Sequence, residues 1–212
     1  MTSVARLVLA THNPHKVAEL RAILAPVVTG LRPEDVVGSA DVAAPVPHED
    51  GVTFEENALI KARALAAFTG LPAIADDSGL CVDVLGGAPG VFSARWAGRH
   101  GDDAANLALL LEQVADVPDA HRGAGFTCAA ALVTPDGYEH VETGVMRGTL
   151  TRAPRGEGGF GYDPILVPDE QPAHAAGRLL TSAELTPQEK NAISHRGKAF
   201  RLLAPVVAAR LR

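Results

Sequence analysis

The chain has 212 residues, with 19 Lys and Arg against 25 Asp and Glu, for a formal charge of −6. That length supports one sizeable core and leaves little room for two full domains, and 47% apolar with 21% charged residues is the balance of a folded chain, not a disordered one. No run approaches the ~20 apolar residues that span a bilayer, the acidic balance argues against non-specific duplex binding, and Met1–Arg6 lacks the long apolar region of a signal peptide.

The first element is Leu7-Val8-Leu9-Ala10, an apolar run that reads as a buried strand. Thr11-His12-Asn13-Pro14 follows, with Asn13 as N-cap and Pro14 at the first helical position. Val17, Leu20 and Leu24 then recur at helical spacing. Thr53-Phe54-Glu55-Glu56 is a capping-box pattern that opens a second helix with Ala58, Ala62, Leu65 and Ala66 on one face. Ala73-Ile74-Ala75 reads as a buried strand that runs out into Asp76-Asp77-Ser78-Gly79, and Leu80 to Leu85 suggests a separate strand. Asp102 or Asp103 caps a third helix carrying Leu107, Leu110, Leu111 and Val114. Phe126 to Thr134 and Tyr138 to Met146 flank Pro135-Asp136-Gly137 as a β-hairpin. A glycine-rich loop, Gly156 to Pro164, leads into a strand at Ile165-Leu166-Val167. Thr186-Pro187-Gln188-Glu189 is a second capping box, and helical pattern returns through Phe200, Leu203 and Val207 to the C-terminus. Crossover-linked and hairpin-linked strands together predict an α/β fold with a mixed sheet in a single domain, 1–212. Cys81 and Cys128 sit in apolar runs and read as buried free thiols of a reducing cytosol.

Four segments could carry chemistry. The chain has 15 arginines and only four lysines, Lys16, Lys61, Lys190 and Lys198, which codon bias alone could explain. Lysine is also a compact point charge suited to phosphate. Lys16 falls in the first turn of the first helix, where a cation costs about 0.3–1 kcal/mol at an exposed site. An anion bound at that helix start would remove the conflict; a capped helix with one solvated lysine is the plainer alternative. His12 and His15 have no Cys or carboxylate near them in sequence to complete a metal site.

Asp76-Asp77 at the end of a buried strand has the usual position of α/β active-site acids, and such a carboxylate suits Mg²⁺; a turn built on Asp-Ser-Gly is the other option. Gly156-x-Gly158-x-x-Gly161 has the spacing of a dinucleotide fingerprint, but a strand follows where that motif needs a helix. A glycine-rich loop with Phe160 and Tyr162 instead suits a flat ligand, unless it is simply a connection with a core aromatic. Lys190, His195 and Arg196 cluster in a net-acidic chain and suit phosphates and the polar edge of a base; a solvated helix face is the alternative.

Taken in order, these segments resemble the inosine triphosphate pyrophosphatase family. The matching stretches are Leu9 to Lys16, Gly51 to Ala58, Ala75 to Leu80, Gly86 to Arg95, Gly158 to Pro164 and Glu189 to Arg196. The resemblance implies an elongated α/β fold with a long mixed sheet flanked by helices, two lobes and a central active-site cleft. It implies a cytoplasmic homodimer that uses Mg²⁺ to convert ITP, dITP and XTP or dXTP to monophosphate and pyrophosphate.

It places the triphosphate on Thr11, Asn13 and Lys16, with His12, Pro14 and His15 in the same loop. Asp77 takes the position of the catalytic acid, with Ser78 beside it on the substrate. Phe160, Gly161, Tyr162 and Asp163 fall around base and sugar, and Lys190, His195 and Arg196 match the remaining nucleotide contacts. The metal ligands it implies are Asp77 and Glu49, the latter in an uncertain register within His48-Glu49-Asp50. His12 departs from the small residue common there. Two rivals remain: a pyrophosphatase of the Maf type acting on modified pyrimidine nucleotides, and a regulatory nucleotide-binding module without catalysis.

Overall fold

The structure, a computed structural model, describes residues 5–211, with Pro14 and His15 described through their backbone only. Met1 to Val4 and Arg212 lie outside the described residues. Six strands form one sheet in the order β2-β1-β3-β4-β5-β6. They are β1 (Leu7–Leu9), β2 (Val36–Gly38), β3 (Ala73–Val82), β4 (Gly123–Val133), β5 (Glu139–Leu150) and β6 (Leu166–Pro168). The helices are α1 (Pro14–Leu24), α2 (Phe54–Thr69), α3 (Asp103–Gln113), α4 (Pro187–Ile193) and α5 (His195–Arg210). β1 runs parallel to β2 and β3, whereas β5 and β6 are antiparallel, so the sheet is mixed as expected.

The chain divides into two compact units, each assembled from separate segments. One holds residues 1–77, 128–144 and 196–212; the other holds 78–127 and 145–195. The core of the first packs Leu7 and Leu9 of β1 against Val17, Leu20 and Leu24 of α1 and Phe200, Leu203 and Val207 of α5. The helical spacing seen in the sequence is thus the spacing of buried side chains. The core of the second joins Leu80 and Val82 to Leu110, Val114, Phe126, Met146, Tyr162 and Ile165.

Local signals set the helix starts. Thr53 accepts from the Glu56 amide and Glu56 reaches back, closing the capping box of α2. Thr186 and Glu189 do the same for α4, with Pro187 at its first turn, and the Asp102 side chain caps α3.

Four expectations need correction. Asp76 to Gly79 do not leave the strand for a turn; they lie inside β3, which continues to Val82. The separate strand at Leu80 to Leu85 therefore does not exist, and Asp83–Leu85 is a 3-10 turn. Flanking apolar residues and a close-packed Gly79, where a Cβ would meet Gly90 O and Ser93 Oγ at 2.4 Å, let the pleat carry through the polar stretch. The last strand starts at Leu166, after a 3-10 turn that ends on Ile165. Cys81 is only half-buried, unlike Cys128, although both are free thiols. The sequence also gave no warning of β2, a three-residue strand with a glycine at its end.

Candidate active site

In the first unit, β1 ends and the chain turns through residues 10–13 into α1. Thr11 is buried and its Oγ1 accepts from the Asn13 amide at 3.1 Å. Ser39, just past β2, donates its backbone N–H to Leu9 O and Thr11 O and so pins the turn. His12 and Asn13 are exposed there. The side chains of Pro14 and His15, both expected at the substrate, lie outside the described residues. Lys16 does have an anion, and it comes from the protein: Nζ lies 3.2 and 3.3 Å from the two oxygens of Asp76. Arg196, near the start of α5, donates Nε to the same carboxylate at 2.9 Å.

Successive residues of a strand face opposite sides, so Asp77 meets a different set. Asn57 and Lys61 are four apart on α2, hence on one face, and both reach it. Asn57 donates Nδ2 to Asp77 Oδ2 at 3.2 Å, and Lys61 Nζ lies 3.2 Å from Oδ1. The Asn57 amide is held from behind, because its Oδ1 accepts from the Gly51 N–H at 2.9 Å. A Cβ on Gly51 would fall 2.7 Å from that Oδ1, which accounts for glycine at the head of the Gly-Val-Thr-Phe segment. Lys61 also lies 3.1 Å from Glu49 Oε2, so within His48-Glu49-Asp50 it is Glu49 that turns inward, between two exposed neighbours.

The two adjacent carboxylates are driven apart. Burial by itself would raise the Asp76 pKa, but Lys16 and Arg196 overwhelm it and hold the group well below the usual carboxylate range. Burial also raises Asp77, and there Lys61 and Asn57 offset only part of the effect, so Asp77 is the more basic of the pair. Burial would lower Lys61, yet Asp77, Glu49 and Asp76 outweigh it and keep the ammonium charged.

A cavity of about 250 Å³ opens beside these groups, lined by Thr11, His12, Lys16, Ser39, Glu49, Lys61 and Asp76 among others. The Ser39 hydroxyl is buried and has no hydrogen-bond partner among the described residues. Sequence reading missed both Ser39 and the site role of Lys61. The Lys61 signal was present, as one of only four lysines in an arginine-rich chain, on the polar side of a capped helix.

In the second unit the glycine-rich loop is tightly built. Gly158 donates to Ala183 O at 3.0 Å, and a Cβ there would fall 2.8 Å from that oxygen. Asp163, buried, accepts from the Phe160 N–H at 2.8 Å and from Lys190 Nζ at 2.5 Å. Asp103 accepts from the Gly161 N–H at 3.0 Å. Tyr162 is buried, with its hydroxyl donating to Ser93 O at 2.9 Å. Phe160 alone of the motif projects outward, 64% exposed, with Lys190 Nζ 5.0 Å from its ring centroid. The His195 ring is buried and stacked on Phe126 at 5.0 Å, and Ser78 is half-buried in β3.

The expected residues thus fall into two sets. Thr11, Lys16, Glu49, Asp77 and Arg196 gather in the first unit. Phe160 to Asp163 and Lys190 gather in the second. The chain passes between the units four times, at the Asp77–Ser78, Thr127–Cys128, Gly144–Val145 and His195–Arg196 peptide bonds.

Among the described residues, no group of three or more His, Cys, Asp or Glu side chains is set to hold a metal ion. The carboxylate pair Glu49 and Asp77 nevertheless fits Mg²⁺, which needs one or two protein carboxylates and completes its shell with water and phosphate oxygens.

The model of the Ham1 family matches residues 7–206. A protein of Streptomyces coelicolor named dITP/XTP pyrophosphatase is 66% identical over 95% of this chain and 96% of its own length. One of Leifsonia xyli subsp. xyli with the same name is 55% identical over 96% of each. Among solved structures, a HAM1 protein from Coxiella burnetii superposes with a TM-score of 0.83 at 42% identity, covering 97% of this chain and all of the other. A nucleoside-triphosphatase, dITP/XTP pyrophosphatase, from Mycobacterium abscessus gives 0.74 at 51% identity over 94% and 99%.

Proposed function

The chain belongs to the Ham1 family, and we propose that it hydrolyses dITP, ITP and XTP or dXTP to the monophosphate and pyrophosphate, clearing deaminated purines from the nucleotide pool. The observation that carries this reading is the cavity lined by Lys16, Lys61, Glu49 and Asp76, whose Lys61 also pairs with Asp77, in a chain 66% identical to a dITP/XTP pyrophosphatase.

Neutralising a triphosphate of about four negative charges is the main electrostatic task. Lys16 and Lys61 line the cavity with ammonium groups, and the N–H groups at the start of α1 add the positive end of its dipole. Asp77, the more basic acid, takes a proton from the attacking water and orients it toward the α-phosphorus, with pyrophosphate as leaving group. Glu49 and Asp77 would hold Mg²⁺, which when bound neutralises phosphate oxygens and makes a nearby water more acidic. Asp76, saturated by Lys16 and Arg196, is committed to holding those two cations.

Base choice rests on the 6-oxo group of hypoxanthine and xanthine. Donors that pair with that oxygen are left unpaired by adenine. Such a site discriminates by as much as ~10⁴–10⁵. Guanine shares the 6-oxo group, so its 2-amino group is excluded by shape. Phe160 presents an exposed aromatic ring in the second unit, of the kind that stacks on a nucleobase. The working form we propose is a Mg²⁺-dependent cytoplasmic homodimer; no helix among the described residues is long and apolar enough to cross a membrane.

A substrate panel tests the reading. ITP, dITP and XTP are hydrolysed fast, ATP and GTP slowly, and the products are monophosphate and pyrophosphate. Comparable rates on all of them would overturn the base account. ITP bound without hydrolysis would point to a regulatory module, and preference for modified pyrimidines to the Maf-type activity. In ¹⁸O-water, label found in IMP supports attack at the α-phosphorus.

A further inference from the structure

Lys61 lies between two carboxylates, 3.1 Å from Glu49 Oε2 and 3.2 Å from Asp77 Oδ1, with only 13% of its side chain exposed. These are the oxygens whose chemistry suits a divalent cation. An ammonium within hydrogen-bond distance of both fills the electrostatic well that such an ion needs, and two cations cannot share it.

The surrounding groups are already committed. Lys16 is engaged with Asp76, and the second oxygen of Asp77 accepts from Asn57, which Gly51 fixes in turn. Lys61 is the one cation joining Glu49 to Asp77 among the described residues, and it ends a flexible four-carbon stem that lines the cavity.

We infer that Lys61 is a resident counter-ion that keeps the divalent metal out until a polyphosphate arrives. The polyanion in the cavity draws the ammonium off the carboxylate pair, and the freed pair accepts the cation that accompanies the phosphates. Lys61 is then a positioning residue that couples metal entry to substrate entry. The charge count favours this order. With the lysine in place the trio Glu49, Asp77 and Lys61 carries −1, whereas the carboxylate pair alone carries −2 and attracts a divalent ion strongly. The inference rests on the phosphate-binding reading of the cavity, but its test does not use the reaction.

The test is titration of the full-length, nucleotide-free protein with Mn²⁺ at pH 8, followed by calorimetry or by the free-ion signal in electron paramagnetic resonance. Lys61→Met and Lys61→Gln should bind Mn²⁺ at least ~10-fold more tightly than the wild type, a modest part of the attraction between close charges at this depth. Lys61→Arg, which keeps the charge, should stay near the wild-type affinity. Adding Glu49→Gln to Lys61→Met should abolish the gain, because one of the two ligands is then neutral.

Thermal melting establishes that each variant is folded, and Lys61→Gln, which retains a polar end for Glu49, serves if Lys61→Met melts early. Equal or weaker Mn²⁺ binding in the folded variants, or a gain that survives Glu49→Gln, would overturn the inference. If the wild type failed to hydrolyse dITP, the substrate reading would fall while the metal titration still gave its own answer.

Discussion

Asp76 and Asp77 are adjacent in β3, and each lies 3.2 Å from a lysine ammonium, yet their acidities move in opposite directions. The difference lies in what else each carboxylate meets. Asp76 has a second cation, Arg196, at 2.9 Å, and together the two cations override its burial. Asp77 has a neutral amide, Asn57, and a second acid near its lysine, so burial wins. A strand that sends neighbouring side chains to opposite faces thus makes one structural anion and one base from the same residue type.

The first consequence is kinetic. Asp77→Asn keeps the shape and the contact with Lys61 but removes the base. Its kcat on dITP should fall by at least ~100-fold, the lower range for losing a general base. Steady-state kinetics with pyrophosphate detection measures this, and near-normal turnover would take Asp77 out of the role.

Asp76 should govern acid stability. Its pKa in the folded protein lies below the unfolded value of about 3.9, so the unfolded chain binds more protons between the two values. The stabilisation is therefore complete above about pH 5 and is lost progressively as pH falls through 4 toward the folded pKa. Asp76→Asn should lower stability at pH 7 by about 3–5 kcal/mol, the cost of breaking a buried pair. It should also flatten the fall in stability between about pH 5 and pH 2. Urea unfolding across that range gives both numbers, and an unchanged pH slope would mean that other carboxylates set it.

Ser39 separates binding from stability. Its hydroxyl is buried on the cavity wall without a partner among the described residues, so Ser39→Ala removes an unmet polar group and should leave Tm unchanged or raise it. If that hydroxyl bonds substrate, KM for dITP should rise by about 3–10-fold, the worth of one modest hydrogen bond, with kcat little changed. A rise in Tm with no change in KM would mean that the hydroxyl faces the cavity without touching substrate.

Much of this site could be read from the chain. The capping boxes at Thr53 and Thr186 and the N-cap at Asp102 are local hydrogen-bond patterns, and they appear in place because they depend on residues within one turn of each other. The Asp-Asp-Ser-Gly stretch misled for the converse reason. Its composition favours a turn, but long-range packing around Gly79 and Leu80 keeps it in β3.

The sequence by itself determined the starts of α1 to α4, the amphipathic faces, the mixed sheet and the short list of chemically able residues, because each depends on neighbours a few positions apart. Only the tertiary structure decided which cation serves which acid. Lys16 and Asp76 are 60 residues apart, and Arg196 and Asp76 are 120 apart. Those pairings, and with them the division of labour between two identical neighbouring acids, follow from how α1, α2 and α5 meet the strand, because charges act through space and not along the chain.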